Sequence, residues 1–206
     1  MGKKRSLIYV PVLHSPEDMG SLASSLPPPG DYGVQVARYW DRVEAEFHAM
    51  GRAWNGVRVY QDGLPDARQD IVARVVADVD SPNYRLLRWL ASQGADVVGT
   101  EDPVLLQEEY ELLKASMADE AARRVYAARA AELLQERDHY IAARIDATLA
   151  AGATGVLFVG LQHNVASELP ADFDVSILRC ARELLPAITA GLAAQRAAGG
   201  HSSDMS

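Results

Sequence analysis

Short apolar segments recur along the chain and alternate with longer stretches in which apolar residues lie three or four positions apart. The short segments are rich in β-branched and aromatic residues and end at polar residues or glycine, which is typical of buried strands. Five segments fit this description. They predict strands over residues 6–13, 55–60, 95–99, 155–160 and 172–179.

The longer stretches predict amphipathic helices, because a spacing of three or four places apolar side chains on one helix face. Ser81 followed by Pro82 is a strong helix start, and Gly94 is a helix end. The predicted helices cover residues 33–50, 66–79, 81–93, 103–117 and 119–151, and a terminal helix ends near residue 195. This order predicts an α/β fold, in which a central, mainly parallel sheet of about five strands is covered by helices on both faces.

The composition narrows the class of protein. A chain of 206 residues, 49 % of them hydrophobic, suits a single α/β domain, which we expect over residues 1–198, with a disordered tail over 199–206. The formal net charge of −8 argues against a nucleic-acid partner. The single cysteine excludes an intramolecular disulfide framework, and no apolar run approaches the roughly 20 residues of a membrane span. The basic start leads into a strand rather than a signal peptide, so we expect a cytoplasmic protein with no membrane partner.

Polar side chains follow the first four predicted strands. In a parallel sheet the carboxyl ends of the strands share one edge, and ligands bind in the crevice outside that edge. Two imidazoles and several carboxylates at one edge could hold a divalent metal ion or transfer protons. Alternatively, such loops are polar in any protein, and an acidic residue there caps the next helix. The residues concerned are His14, Gln61, Asp62, Glu101, Asp102 (which stands in such a capping position), Gln162 and His163.

Signatures of other common sites are absent from the sequence. No GxGxxG, P-loop, GxSxG or HExxH pattern occurs. Cys180 ends an apolar strand, where a buried and unreactive thiol is expected. The charges over residues 119–144 alternate in sign, which is typical of a solvated helix face, and His139 falls within this run.

Two segments resemble the signatures of the TraB/ChaN-like superfamily, which also includes erythromycin-esterase-related proteins and Tiki-type metalloproteases. The opening IYVPVLHSPEDMGSL is similar to that superfamily's strand followed by a histidine. The later segment ERDHYIAARIDATLAAGATGVLFVGLQHNVASELP is similar to its second signature, in which a helix beginning Glu-Arg-Asn/Asp leads to a strand ending Gly-x-x-His. The resemblance implies an α/β fold of two related halves, with His14, Glu101, Arg137 and His163 near a common pocket.

These observations lead to a hydrolase as the first hypothesis. His14 or His163 would act as general base on a water molecule, with a divalent metal ion as the candidate cofactor, held by His14, Glu101 and His163. Arg137 would neutralise developing negative charge, or Glu101 would hold a histidine tautomer. Contacts to a small-molecule substrate are expected from Gln61, Asp62, Asp102 and Gln162.

Two other hypotheses stay open at this point. The same edge could bind an anionic or haem-like small molecule without catalysis. The apolar positions of residues 105–134 could instead form the face of a homo-oligomer, although packing against the sheet explains them equally well.

Overall fold

The computed structural model describes residues 3–15 and 31–199, and these form a five-stranded sheet. All neighbouring strands pair in parallel, in the order β3-β2-β4-β1-β5. The predicted α/β class is therefore confirmed. The strands are β1 (Arg5–Val12), β2 (Arg58–Pro65), β3 (Asp96–Glu101), β4 (Thr154–Gly160) and β5 (Phe173–Ile177).

The described residues contain seven helices, of which six lie between strands and the seventh follows β5. Six of them were predicted, and the short α6 was not. The helix that begins after Asp102 is capped as predicted, because the Asp102 carboxylate accepts a hydrogen bond from Val104 N at 2.8 Å. The helices are α1 (Tyr32–Ala49), α2 (Gln69–Asp78), α3 (Pro82–Ser92), α4 (Pro103–Ser116), α5 (Glu120–Thr148), α6 (Val165–Glu168) and α7 (Arg179–Gly199).

Apolar side chains on both faces of the sheet pack against helices. One core contains residues of α1, α2, α3 and α7, among them Phe47 and Leu87, packed against Val10 and Phe158 of the sheet. The second core contains residues of α5 and α6, packed against the opposite face. Because consecutive strand residues point to opposite faces, β1 supplies Leu7 to the second core and Val10 to the first. Helices on both faces require the continuously apolar strands seen in the sequence.

Three details differ from the expectations or lie beyond the described residues. Gln61 and Asp62 lie within β2, which continues to Pro65 instead of ending at residue 60. The charged run on α5 is not solvated throughout, because Arg137 and Asp138 are buried. Most of the predicted tail, residues 200–206, lies outside the described residues, while Gly199 ends α7.

Two other expectations can be compared with the structure. Cys180 is buried as expected, but it lies in the first turn of α7 rather than at the end of a strand, because β5 ends at Ile177. Burial raises the pKa of its thiol to about 12, which keeps it protonated. No helix among the described residues is both long and apolar enough to cross a membrane.

The second half of β2 contains a bulge that carries site residues. Gln61 pairs with Gly99 and Pro65 pairs with Glu101, so three residues of β2 stand opposite Thr100 alone. Gly63 adopts a φ of +68°, a conformation that glycine tolerates without steric cost. The bulge brings the Pro65 carbonyl so close to Gly99 that a Cβ atom there would lie 2.2 Å from the oxygen. Bulges commonly re-aim side chains beside functional sites.

We predict that Gly99→Ala lowers the free energy of unfolding by about 1–3 kcal/mol, because the added methyl group must push the β2 backbone away. Chemical denaturation followed by circular dichroism measures the effect. Gly33→Ala is the matched control, since a Cβ atom there meets nothing within 4 Å. Equal stability of Gly99→Ala and wild type would show that the close approach does not constrain the fold.

Candidate functional site

A cluster of ionisable and polar side chains, which we call the edge cluster, lies at the carboxyl ends of the strands. It comprises residues that follow β1 and β4, lie within β2 or end β3, together with two residues from the middle of α5. Helix α5 lies over β3 and presents its buried face to the edge of the sheet. The edge cluster consists of His14, Gln61, Asp62, Glu101, Arg137, Asp138 and His163.

Three of these side chains surround Gly160, the last residue of β4. A Cβ atom placed on Gly160 would lie 3.2 Å from Asp62 Oδ2, 3.5 Å from His14 Nε2 and 3.5 Å from His163 Cδ2. The glycine therefore leaves the space in which two imidazoles and a carboxylate converge. The three side chains meet because β4, which precedes His163, lies between β1, which precedes His14, and β2, which contains Asp62.

A short hydrogen bond orients His163. Its Nδ1 atom lies 2.6 Å from Asp138 Oδ1, and Asp138 Oδ2 accepts a hydrogen bond from Asn164 N at 2.7 Å. The turn itself is closed by a hydrogen bond from His163 N to Gly160 O, and Tyr9 donates its hydroxyl to His163 O. The imidazole is thus fixed by helix α5 and strand β1 together, and its side chain is only 6 % exposed.

The surroundings of His163 change its protonation equilibrium. Burial lowers the pKa of His163, but the hydrogen bond to Asp138 and the nearby Asp62 carboxylate outweigh it, so the pKa is raised. Because a carboxylate is an acceptor, it favours the tautomer with the proton on Nδ1. The Nε2 atom then faces Asp62 Oδ2 at 4.0 Å.

Asp62 lies at the centre of the edge cluster and is buried. Its Oδ2 accepts a hydrogen bond from Gly160 N at 2.6 Å, and its Oδ1 accepts one from Gln61 Nε2 at 2.7 Å. Burial is the main reason that the pKa of Asp62 is raised, and the charge of Glu101 acts in the same direction. Asp62 is therefore a carboxyl group that gains a proton more readily than an exposed aspartate.

Glu101 and Arg137 form a buried ion pair beside Asp62. The guanidinium donates from Nε to Glu101 Oε2 at 2.6 Å and from Nη2 to Oε1 at 2.7 Å, a two-pronged geometry. Its Nη1 donates to Glu109 of α4, and Glu101 Oε1 also accepts from Gly63 N at 2.7 Å. The pair therefore ties helix α5 to α4 and to the bulge that carries Asp62.

His14 is held through its backbone and is exposed to solvent. Two side chains of α1 anchor the chain around it, since Tyr39 donates its hydroxyl to Pro11 O and Trp40 donates Nε1–H to Leu13 O at 3.0 Å. Tyr32 donates its hydroxyl to His14 O at 2.9 Å. His14 is thus the solvent-facing member of the group around Gly160.

Sequence reasoning found most but not all of this cluster. The four residues expected near a common pocket, His14, Glu101, Arg137 and His163, lie together with Gln61 and Asp62. Asp102 uses its carboxylate to cap α4, and Gln162 is exposed in the turn after β4. Asp138 was not singled out, although it follows Arg137 directly in the Glu-Arg-Asp segment. That segment was the signal that could have found it.

The predicted metal ligands do not form a coordination set. No group of three or more His, Cys, Asp or Glu side chains in residues 3–15 and 31–199 has an arrangement that could hold a metal ion. Both oxygens of Glu101 already accept hydrogen bonds from Arg137, and one of them from Gly63 as well. Both oxygens of Glu101 are therefore already engaged as hydrogen-bond acceptors.

An open groove of about 570 Å³ lies elsewhere, on the outer side of α5. Its lining includes Leu105, Glu136, Tyr140 and Glu168, and it shares no residue with the edge cluster. The cluster is thus identified by its convergent, buried, ionisable groups rather than by the size of an adjoining depression.

Comparison of the chain with protein-family models, curated proteins and solved structures gives no significant match.

We predict that Asp138→Asn lowers the pKa of His163, because burial lowers that pKa and the hydrogen bond to the Asp138 carboxylate is the largest contribution that opposes it. The titration of the His163 ring protons by NMR measures the change. Asp119→Asn is the control, since Asp119 caps the distant end of the same helix. An unchanged His163 titration in Asp138→Asn would show that Asp138 does not set its protonation.

We predict that Arg137→Met lowers the free energy of unfolding by about 3–5 kcal/mol, because it leaves the Glu101 carboxylate buried without a countercharge. Urea denaturation at neutral pH gives the value. Arg129→Met, which breaks ion pairs of a more exposed arginine on the same helix, should cost less. A loss in Arg137→Met no larger than in Arg129→Met would contradict a central role for the buried pair.

Proposed function

We propose that this protein is a hydrolase in which His163, oriented by Asp138, acts as general base on a water molecule at the carboxyl edge of the sheet. The observation that supports this most directly is the 2.6 Å contact between His163 Nδ1 and Asp138 Oδ1. An aspartate on one ring nitrogen holds the imidazole in the tautomer that can accept a proton on the other. The same aspartate then stabilises the imidazolium that forms.

In the proposed reaction, His163 Nε2 takes one proton from a water molecule while the water oxygen attacks the carbonyl carbon of a small ester. The bond from that carbon to the leaving oxygen breaks, the leaving oxygen takes a proton from a second imidazole, and the proton held by His163 returns to that imidazole through solvent. The products are a carboxylic acid and an alcohol. No co-reactant other than water is needed.

His14 is proposed to assist from the solvent side. Its Nε2 and the ring of His163 border the same point next to Gly160, and His14 is exposed. A substrate that approaches from solvent would reach His14 before it reached the buried groups. We therefore propose His14 as the group that protonates the leaving oxygen.

Arg137 and Glu101 are proposed to act through position rather than by contact with substrate. All three guanidinium nitrogens of Arg137 already donate to Glu101 or Glu109. Glu101 in turn holds Gly63 of the bulge. This pair would therefore keep Asp62 beside His163 during turnover, whereas direct neutralisation of an oxyanion by Arg137 would require it to leave Glu101.

The charge of the cluster argues against the alternative of an anion-binding protein without catalysis. Three carboxylates, of Asp62, Glu101 and Glu109, act on the charge of Arg137, and a fourth, of Asp138, contacts His163. Such an excess repels an anionic ligand. A neutral ester suits the cluster better.

We predict that the full chain hydrolyses members of a panel of small chromogenic esters and lactones, and that His163→Gln lowers kcat/KM by about a hundredfold or more. The wild-type rate should rise with pH through the raised pKa of His163, because only the neutral imidazole accepts a proton. Stopped-flow or plate-reader kinetics across a pH series provide the measurement.

His48→Gln is the matched control for this experiment. The His48 ring lies 4.3 Å from the Trp89 ring near the end of α3, at the opposite edge of the sheet, and its loss should leave the rate unchanged. Equal rates for wild type and His163→Gln would exclude His163 as the base. Thermal stabilisation by a compound that is never turned over would favour the binding protein instead.

A further inference from the structure

A line of hydrogen-bonded side chains leads from the start of α3 to Asp62. Ser81 Oγ donates to Asn83 Oδ1 at 2.5 Å, and Asn83 Nδ2 donates to Gln61 Oε1 at 3.2 Å. Gln61 Nε2 donates to Asp62 Oδ1 at 2.7 Å. Ser81, Asn83 and Gln61 are each exposed by 2 % or less, so water does not compete for these contacts.

The direction of every hydrogen bond in this line is fixed by its end at Asp62. Gln61 faces both the backbone oxygen of Asp62, at 2.9 Å, and its carboxylate, and these groups accept. Gln61 must therefore present its amino group to Asp62 and its oxygen to Asn83. Asn83 must then present its amino group to Gln61 and its oxygen to Ser81, which leaves the serine hydroxyl as donor.

Ser81 has an ordinary local role that it does not perform. It occupies the N-cap position of α3, where a serine hydroxyl usually accepts a hydrogen bond from a backbone N–H of the first turn. Its side chain makes no such cap bond. The hydroxyl instead donates to Asn83 Oδ1, so α3 begins without a side-chain cap and Ser81 becomes the first member of the line.

We propose that Ser81, Asn83 and Gln61 form a positioning relay that fixes the Asp62 carboxylate against Gly160 N–H and beside His163. All three donors point toward Asp62. The relay and the Gly160 amide together occupy both carboxylate oxygens, so the carboxylate cannot rotate without breaking one of these hydrogen bonds. Ser81 and Asn83 act on Asp62 only through Gln61. Asp62 would affect turnover through His163, whose Nε2 lies 4.0 Å from Asp62 Oδ2, and this effect rests on the proposed function, whereas the placement of Asp62 by the relay does not.

The hydrogen bond from Gly160 N to Asp62 Oδ2, at 2.6 Å, provides a readout that needs no substrate. We predict that Gln61→Met moves the Gly160 amide proton upfield and speeds its hydrogen exchange, because Asp62 is then free to turn away. Ser81→Ala should cause a smaller change in the same direction, and Ser81→Thr should restore the wild-type values. Two-dimensional NMR of the labelled full chain measures all three.

Two matched variants separate the relay from a general loosening of the fold. Gln69→Met removes a glutamine that donates to Val97 O on β3, and Ser92→Ala removes an exposed serine of α3. Neither should move the Gly160 amide. If Ser81→Ala leaves the Gly160 amide as in wild type, the relay is refuted, even if Gln61→Met shifts it or fails to fold.

Kinetics on an ester that the wild type hydrolyses then test the consequence for turnover. Gln61→Met should lower kcat by roughly tenfold to a hundredfold with KM unchanged, because small displacements at a reacting centre cost that much. If the wild type hydrolyses no ester, the proposed function fails while the Gly160 measurement still decides on the relay. A shifted Gly160 amide with unchanged kcat would show that the relay positions Asp62 without serving catalysis.

Discussion

Two carboxylates that have no access to bulk water dictate how this edge of the sheet is built. Glu101 is fully buried and Asp62 almost so, and a buried charge is tolerated only when it is paired or hydrogen-bonded. Glu101 accepts hydrogen bonds from Arg137 and the Gly63 amide, while Asp62 accepts them from Gln61 and the Gly160 amide. The partners come from β2, β4 and α5, so the two carboxylates tie three elements together.

The long helix α5 serves the core and the site with one face. Ile141 and Ile145 pack on the sheet, while Arg137 and Asp138, one turn earlier, lie over the carboxyl ends of the strands. Apolar packing thus sets the position of α5 along its axis, and with it the contacts of Arg137 and Asp138 with Glu101 and His163. A substitution that changes only the packing of the apolar core would therefore alter the site if it shifted α5 along its axis.

The sequence identified much of the edge cluster for a reason that does not depend on contacts. His14, Gln61, Asp62, Glu101 and His163 each come after an apolar segment of the sequence, and the parallel arrangement places all of them at one edge, although β2 continues past Gln61 and Asp62 to Pro65. The burial of Asp138 and Asn83 could not be predicted in this way, because each lies on a helix, where charged and polar residues are usually solvated. Their burial depends on which helix face meets the sheet edge, and the hydrophobic periodicity around either residue does not report that.

What the sequence by itself determined was the α/β class, the strands and most helices, the cap at Asp102 and the burial of Cys180, because these follow from local periodicity and hydrophobicity. Only the tertiary structure decided that β4 lies between β1 and β2, that β2 bulges at Gly63 and that Asp138 contacts His163. These features join residues 25 to 148 positions apart. Hydrogen bonds over such separations depend on packing of whole elements, which no window of neighbouring residues encodes.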